Sequence, residues 1–121
     1  MLILGGGPCA LNPEPLADFF DAFVLGDGEE AALEVCREII AAKETGEPKE
    51  EILRRLSRLE GVYVPSLFSV AYHPDGTIAR IESADKASPV RRRVLADLNL
   101  APFPGRPLLP YLEVIHDRLN I

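Results

Sequence analysis

An α/β fold is predicted for this chain of 121 residues: part of a parallel sheet with helices, followed by an antiparallel β-hairpin. Two short apolar runs, Leu2-Ile3-Leu4 and Ala22-Phe23-Val24-Leu25, each lead into a glycine-rich loop that opens a helical pattern. The loops are Gly5-Gly6-Gly7-Pro8 and Gly26-Asp27-Gly28-Glu29-Glu30. Parallel strands joined by right-handed crossovers point the same way, so both loops are expected on one edge, where open α/β sheets hold their ligands. Beyond Gly61 the helical period gives way to an extended pattern rich in Val, Tyr, Phe and Ile. Met1 stands directly on the first apolar run, whereas such sheets usually carry several more strands, and the chain is read as a piece of a longer protein.

The elements follow in order. Asn12 suits an N-cap with Pro13 in the first helical position, so Pro13 to Phe20 is expected as a short helix burying Leu16, Phe19 and Phe20. A strand over Ala22 to Leu25 comes next. From Glu29 to Lys43, Ala32, Val35, Cys36, Ile39 and Ile40 recur at helical spacing, with Gly46 as the stop. Pro48 starts another helix with Ile52, Leu53, Leu56 and Leu59 inward, closed by Gly61. His73-Pro74-Asp75-Gly76 has proline and glycine where a type I turn wants them, so Leu67 to Tyr72 and Thr77 to Ile81 read as a hairpin. Ser83 to Ser88 reads as loop, and Pro89 to Leu98 as either helix or strand. After Leu100, Pro102, Pro104, Pro107 and Pro110 favour an extended linker, and Tyr111 to Ile121 would form a strand against a partner. The resulting divisions are 1–61, 62–100 and 101–121.

Composition bounds the function. With 47% hydrophobic and 26% charged residues the chain can build one core. A net charge of -6 disfavours general binding to nucleic acid or to an anionic membrane surface. No apolar stretch approaches the roughly 18 residues of a spanning helix, and no signal peptide stands at the start. Two cysteines, Cys9 and Cys36, give no disulfide framework, and a reducing cytoplasm is expected.

The run Gly5-Gly6-Gly7-Pro8-Cys9-Ala10-Leu11-Asn12-Pro13-Glu14-Pro15, followed by Asp21 to Glu30, resembles the second half of a cobalamin-binding-like domain. That domain precedes the catalytic barrel in one large class of radical S-adenosylmethionine (SAM) proteins. Members of the class read Gly-Gly-Pro-His, then Pro-Glu, then an apolar strand and Gly-Glu-Gly-Glu. Cys9 stands here in place of His and Asp27 in place of Glu. Glu60 to Pro65, Asp97 to Pro104 and Pro110 to Arg118 are similar to the linker into the barrel in an uncharacterised subfamily. The resemblance implies a partial Rossmann-like sheet over 1–61 and a proline-rich linker over 101–121. It further implies a barrel of the same parent chain as partner, with a [4Fe-4S] cluster, SAM and, as an open third, cobalamin as the parent's cofactors. The C-x-x-x-C-x-x-C loop that holds such a cluster is absent, so no cofactor is expected on this piece alone. The Asp-x-His-x-x-Gly loop that ligates cobalt in methyltransferase-type cobalamin proteins is absent as well.

Gly5, Gly6 and Gly7 allow a ligand to approach the backbone at a helix start, as in phosphate cradles, or they make a tight strand-to-helix turn; both readings stand. Gly26 and Gly28 share the expected edge. The carboxylates of Asp27, Glu29 and Glu30 favour a helix N-terminus but repel phosphate, so that loop reads as a cap or as a surface toward another domain. Cys9 reads as a small residue packed under its loop, against a lowered-pKa thiol, and Cys36 as core. His73 is a turn residue, and His116 with Asp117 and Arg118 ends a strand or lines a barrel entrance. Arg91-Arg92-Arg93 reads as a solvated face, against contact with RNA or an anionic substrate.

The resulting expectation is a non-catalytic accessory domain that shapes the cobalamin or substrate entrance of a radical SAM barrel, with cofactor-binding residues Gly5, Gly6, Gly7, Gly26 and Gly28. The alternative is a ligand-free interaction module whose exposed sheet edge pairs with itself, as a homo-oligomer, or with another protein. A small enzyme built on Cys9 and His116 is the weakest reading.

Overall fold

The computed structural model describes residues 1–83 and 89–101. The expected linker and final strand beyond residue 101, and most of the loop after Ser83, lie outside the described residues. Three short strands form one sheet in the order β1-β2-β3: β1 is Leu4–Gly5, β2 is Ala22–Val24 and β3 is Val62–Tyr63. Two helices, α1 over Gly28–Glu44 and α2 over Lys49–Leu56, separate β2 from β3. Strands β4, Phe68–Tyr72, and β5, Ile78–Ser83, make a separate antiparallel pair.

The pairing of β1 with β2 is parallel, Leu4 opposite Ala22 and Gly5 opposite Phe23, as the two strand-loop-helix units predict. The pairing of β2 with β3 is antiparallel, Phe23 opposite Tyr63 and Val24 opposite Val62. The sheet is therefore mixed, with one parallel pair, and a Rossmann-like parallel sheet is not established. Two helices in succession bring the chain back at the far end of β2, so β3 runs against it.

Alternation through β2 and β3 sorts the core into two sides. Ala22, Val62 and Val64 face the helices and pack with Val35, Ala42, Ile52, Leu53 and Leu56. Phe23 and Tyr63 face the other way and form an aromatic cluster with Phe20 and Phe68. Asp21 ties the pieces together. Its carboxylate accepts from the Ile3 amide at 2.8 Å and pairs with Lys49 at 2.6 Å, joining the start of β2 to β1 and α2.

The first helix departs from expectation. It is a 3-10 helix, Glu14–Phe19, with Pro13 rather than Asn12 in the N-cap position. Leu16 and Phe19, expected inside, are 42% and 68% exposed. At three residues per turn, positions three apart eclipse, and Leu16 and Phe19 share the solvent side while Phe20, past the end, turns inward.

Helix α1 spans the expected residues, but its buried face is Ala31, Val35 and Ala42, with Ile39 half-buried. Cys36 and Ile40, expected in the core, are exposed, as is Ala32. Its apolar arc is wider than the area that the strands and α2 cover, so one flank remains uncovered. Gly46, at φ +71, follows its C-cap, as expected. Helix α2 buries Ile52, Leu53 and Leu56 as its spacing predicts.

Candidate functional site

All five glycines expected at a ligand edge, Gly5, Gly6, Gly7, Gly26 and Gly28, line one open cleft of about 450 Å³. The loops after β1 and β2 form its rim, because parallel neighbours present their carboxyl ends together. The remaining lining is apolar: Leu4 and Val24 from the sheet, and Ala32, Val35 and Cys36 from the uncovered flank of α1. Among the described residues, no charged side chain lines it. The cleft thus offers glycine backbone and an apolar wall, which suits a flat or apolar group better than a bare phosphate.

The glycines divide by what a side chain would meet. A Cβ on Gly5 would lie 2.7 Å from the Phe23 ring, and one on Gly26 would lie 2.1 Å from the carbonyl oxygen of Arg93. These two are required by the chain's own packing. A Cβ on Gly6 would meet nothing closer than the Val24 carbonyl at 3.9 Å, and Gly7 and Gly28 have open space. Only Gly6, Gly7 and Gly28 leave room for something outside the chain.

The acidic second loop holds a downstream segment of its own chain. The Arg93 amide donates to the Leu25 carbonyl at 2.8 Å, and the Asp27 amide donates to the Arg93 carbonyl at 3.1 Å. This makes a parallel bridge between Gly26 and Arg93. The Asp27 carboxylate accepts from the Leu95 amide at 2.8 Å. The Arg93 guanidinium donates twice to Glu34, at 2.8 and 2.7 Å, and once to Glu30, at 3.0 Å. The segment around Arg93 is therefore an extended strap across the end of β2, and the open choice between helix and strand over Pro89 to Leu98 resolves toward extended, with a 3-10 turn at Leu98–Leu100.

Hydrogen bonds from Arg93 hold the Glu34 carboxyl below the usual glutamate range, and Glu34 and Glu30 together push the guanidinium pKa up. Arg93 is not part of a solvated face: its side chain is only 14% exposed, while Arg91 and Arg92 are exposed. Nothing local in the sequence marks Arg93 among three adjacent arginines. The one signal is the excess of carboxylates at Asp27, Glu30 and Glu34 on a single helix start, which needs a cation.

Cys9 is exposed on a short 3-10 turn, Pro8–Leu11, rather than packed beneath its loop. Cys36 lies on the cleft wall. His73 is in the hairpin turn, its amide and carbonyl closing that turn with Thr77 and Gly76. His116 lies outside the described residues. Two cysteines in the whole chain do not make the three-thiolate set of a [4Fe-4S] cluster, so such a cluster does not fit this chain's own residues. Among the described residues no helix is long and apolar enough to cross a membrane.

No curated protein and no solved structure matches the chain. A family model described as "Radical SAM proteins, N-terminal" matches residues 1–65, more than half of the chain, which takes in both glycine loops, both helices and β3. The chain belongs to this family of radical SAM N-terminal regions.

Proposed function

We propose that this chain is a non-catalytic accessory region of a radical SAM enzyme, whose glycine cleft shapes the cobalamin or substrate entrance of the barrel. The observation that carries the reading is the meeting of five glycines from two loops on one apolar-walled cleft, inside the family-matched segment. Gly6, Gly7 and Gly28 are the contact positions, and Leu4, Val24, Ala32 and Cys36 supply the apolar wall. If cobalamin is the group, the cleft would hold part of its face by close backbone approach and apolar contact, and cobalamin would supply the organometallic chemistry. The cluster and SAM then belong to the barrel. Iron and sulfide analysis after anaerobic reconstitution of this chain tests the non-catalytic assignment: no stoichiometric cluster is expected, and a full cluster on the chain contradicts it.

A second reading rests on β1, an outer strand of its sheet, where Ile3 just before it and Leu4 within it are 41% and 39% exposed. An open edge of this kind pairs readily with another strand, and an interaction module working through β1 would make the chain dimeric in light scattering.

A further inference from the structure

The β4-β5 hairpin carries an apolar face that, among the described residues, is covered only at the base. Phe68, Val70 and Tyr72 of β4 stand opposite Ser83, Ile81 and Ile78 of β5. The register shift between Ala71 and Tyr72 matters, because it turns Ile78 onto the same face as Ile81. The opposite face carries Ser69, Glu82 and Arg80, with Arg80 and Glu82 paired at 3.0 Å. Phe68 packs on Tyr63, whereas Tyr72, Ile78 and Ile81 are 63%, 58% and 57% exposed. A two-stranded hairpin with a one-sided apolar face gains stability only when that face is covered.

The base of this face, Phe68 and Val70, forms one wall of a groove of about 600 Å³. The facing wall comes from the 3-10 helix, Asp21 and the start of α2 and is acidic: among the described residues, Glu14, Asp18, Asp21 and Glu50 stand against one cation, Lys49. Lys49 is paired to Asp21, and the Glu14 carboxylate accepts from the Tyr63 hydroxyl. Asp18 and Glu50 are exposed on the rim, with no ion pair among the described residues. An apolar wall and an acidic wall facing each other across one groove ask for an occupant that is apolar on one side and cationic on the other.

We propose that the groove between the β4-β5 hairpin and the 3-10 helix Glu14–Phe19 is a docking surface for a basic amphipathic helix of a partner domain. The helix lays its apolar stripe on Val70, Tyr72, Ile78 and Ile81 and turns its lysines or arginines toward Asp18 and Glu50, the helix-in-groove mode with charge setting the orientation. The surface is separate from the glycine cleft and does not depend on what that cleft binds.

The test is titration of the 121-residue chain with a synthetic amphipathic helix of leucine and lysine, followed by amide NMR shifts, beside a leucine-glutamate helix of the same pattern. Shifts confined to the hairpin, the 3-10 helix and the start of α2 are expected, together with weakening at higher salt. The double variants Tyr72→Ser with Ile81→Ser, and Asp18→Asn with Glu50→Gln, should each lower affinity about tenfold or more. Arg80→Ala on the opposite face should leave affinity unchanged, and its spectrum with those of the double variants reports whether the hairpin stays folded. Equal binding of the glutamate helix, shifts that map elsewhere, or no binding of the lysine helix would each overturn the proposal.

Discussion

The guanidinium of Arg93 and the carboxylate of Glu34, 59 residues apart in sequence, meet through two hydrogen bonds of 2.8 and 2.7 Å. That contact helps fix the strap across Gly26 and so decides where the segment around Arg93 lies against the end of β2. Arg93→Ala removes a charge-assisted pair from a mostly buried side chain and should cost about 1–2 kcal/mol in urea unfolding. The amides of Asp27, Arg93 and Leu95 should then exchange faster with solvent, while those of α2 change little. Lysine at this position should rescue only part of the loss, because it cannot reproduce the bidentate geometry.

The same pair sets an acid dependence. Glu34 titrates below the usual glutamate range in the folded chain because it accepts from Arg93. A lowered folded pKa means that its stabilising contribution is complete above the unfolded value and is lost as pH falls through the folded value. Strap protection measured by hydrogen exchange should therefore hold at neutral pH and fade in acid. In Glu34→Gln that part of the acid dependence should be absent.

Two glycines of the cleft rim should respond very unequally to a single methyl group. Gly26→Ala places Cβ 2.1 Å from the Arg93 carbonyl at a backbone φ of +99 and should destabilise by about 2 kcal/mol or more. Gly6→Ala meets only a contact of 3.9 Å and should stay within about 0.5 kcal/mol of the parent. Thermal unfolding of the two variants side by side checks the division between glycines that the fold needs and glycines that it leaves free.

Both thiols should react in the folded chain. Cys9 and Cys36 are exposed, so a thiol reagent should titrate two groups without denaturant. Cys36→Ser should shift stability by no more than about 0.5 kcal/mol. Leu56→Ala, at a fully buried position, should cost about 2–5 kcal/mol.

Much of the fold is legible in local pattern. Ile52, Leu53 and Leu56 after Pro48 specify α2 and its buried face, and His73-Pro74-Asp75-Gly76 specifies the hairpin turn. The shared edge of the five glycines follows from the geometry of parallel neighbours alone. What escapes is set by long-range partners. Val62 and Tyr63 pair with β2 in a strand of two residues, too short to show a period. The apolar arc of α1 is visible in sequence, but which part of it is buried depends on how wide a sheet it meets, so Cys36 and Ile40 fit an inward face by spacing and yet lie outside. The strap at Arg93 has its partners on α1, across two helices and the hairpin, and carries no periodic signal of its own.

The most direct test of the accessory-cleft account is a visible-absorption titration with cobalamin of a radical SAM protein that contains this region and its barrel, with Gly6→Val measured beside it. A Cβ at this position meets neither Phe23 nor Arg93 and has the Val24 carbonyl, at 3.9 Å, as its nearest neighbour on the cleft rim. With cobalamin as the group at the cleft, the account predicts that the parent binds it and that the variant, equally folded, binds about tenfold or more weakly, a loss of ~1.4 kcal/mol or more. Equal affinity in parent and variant would contradict it.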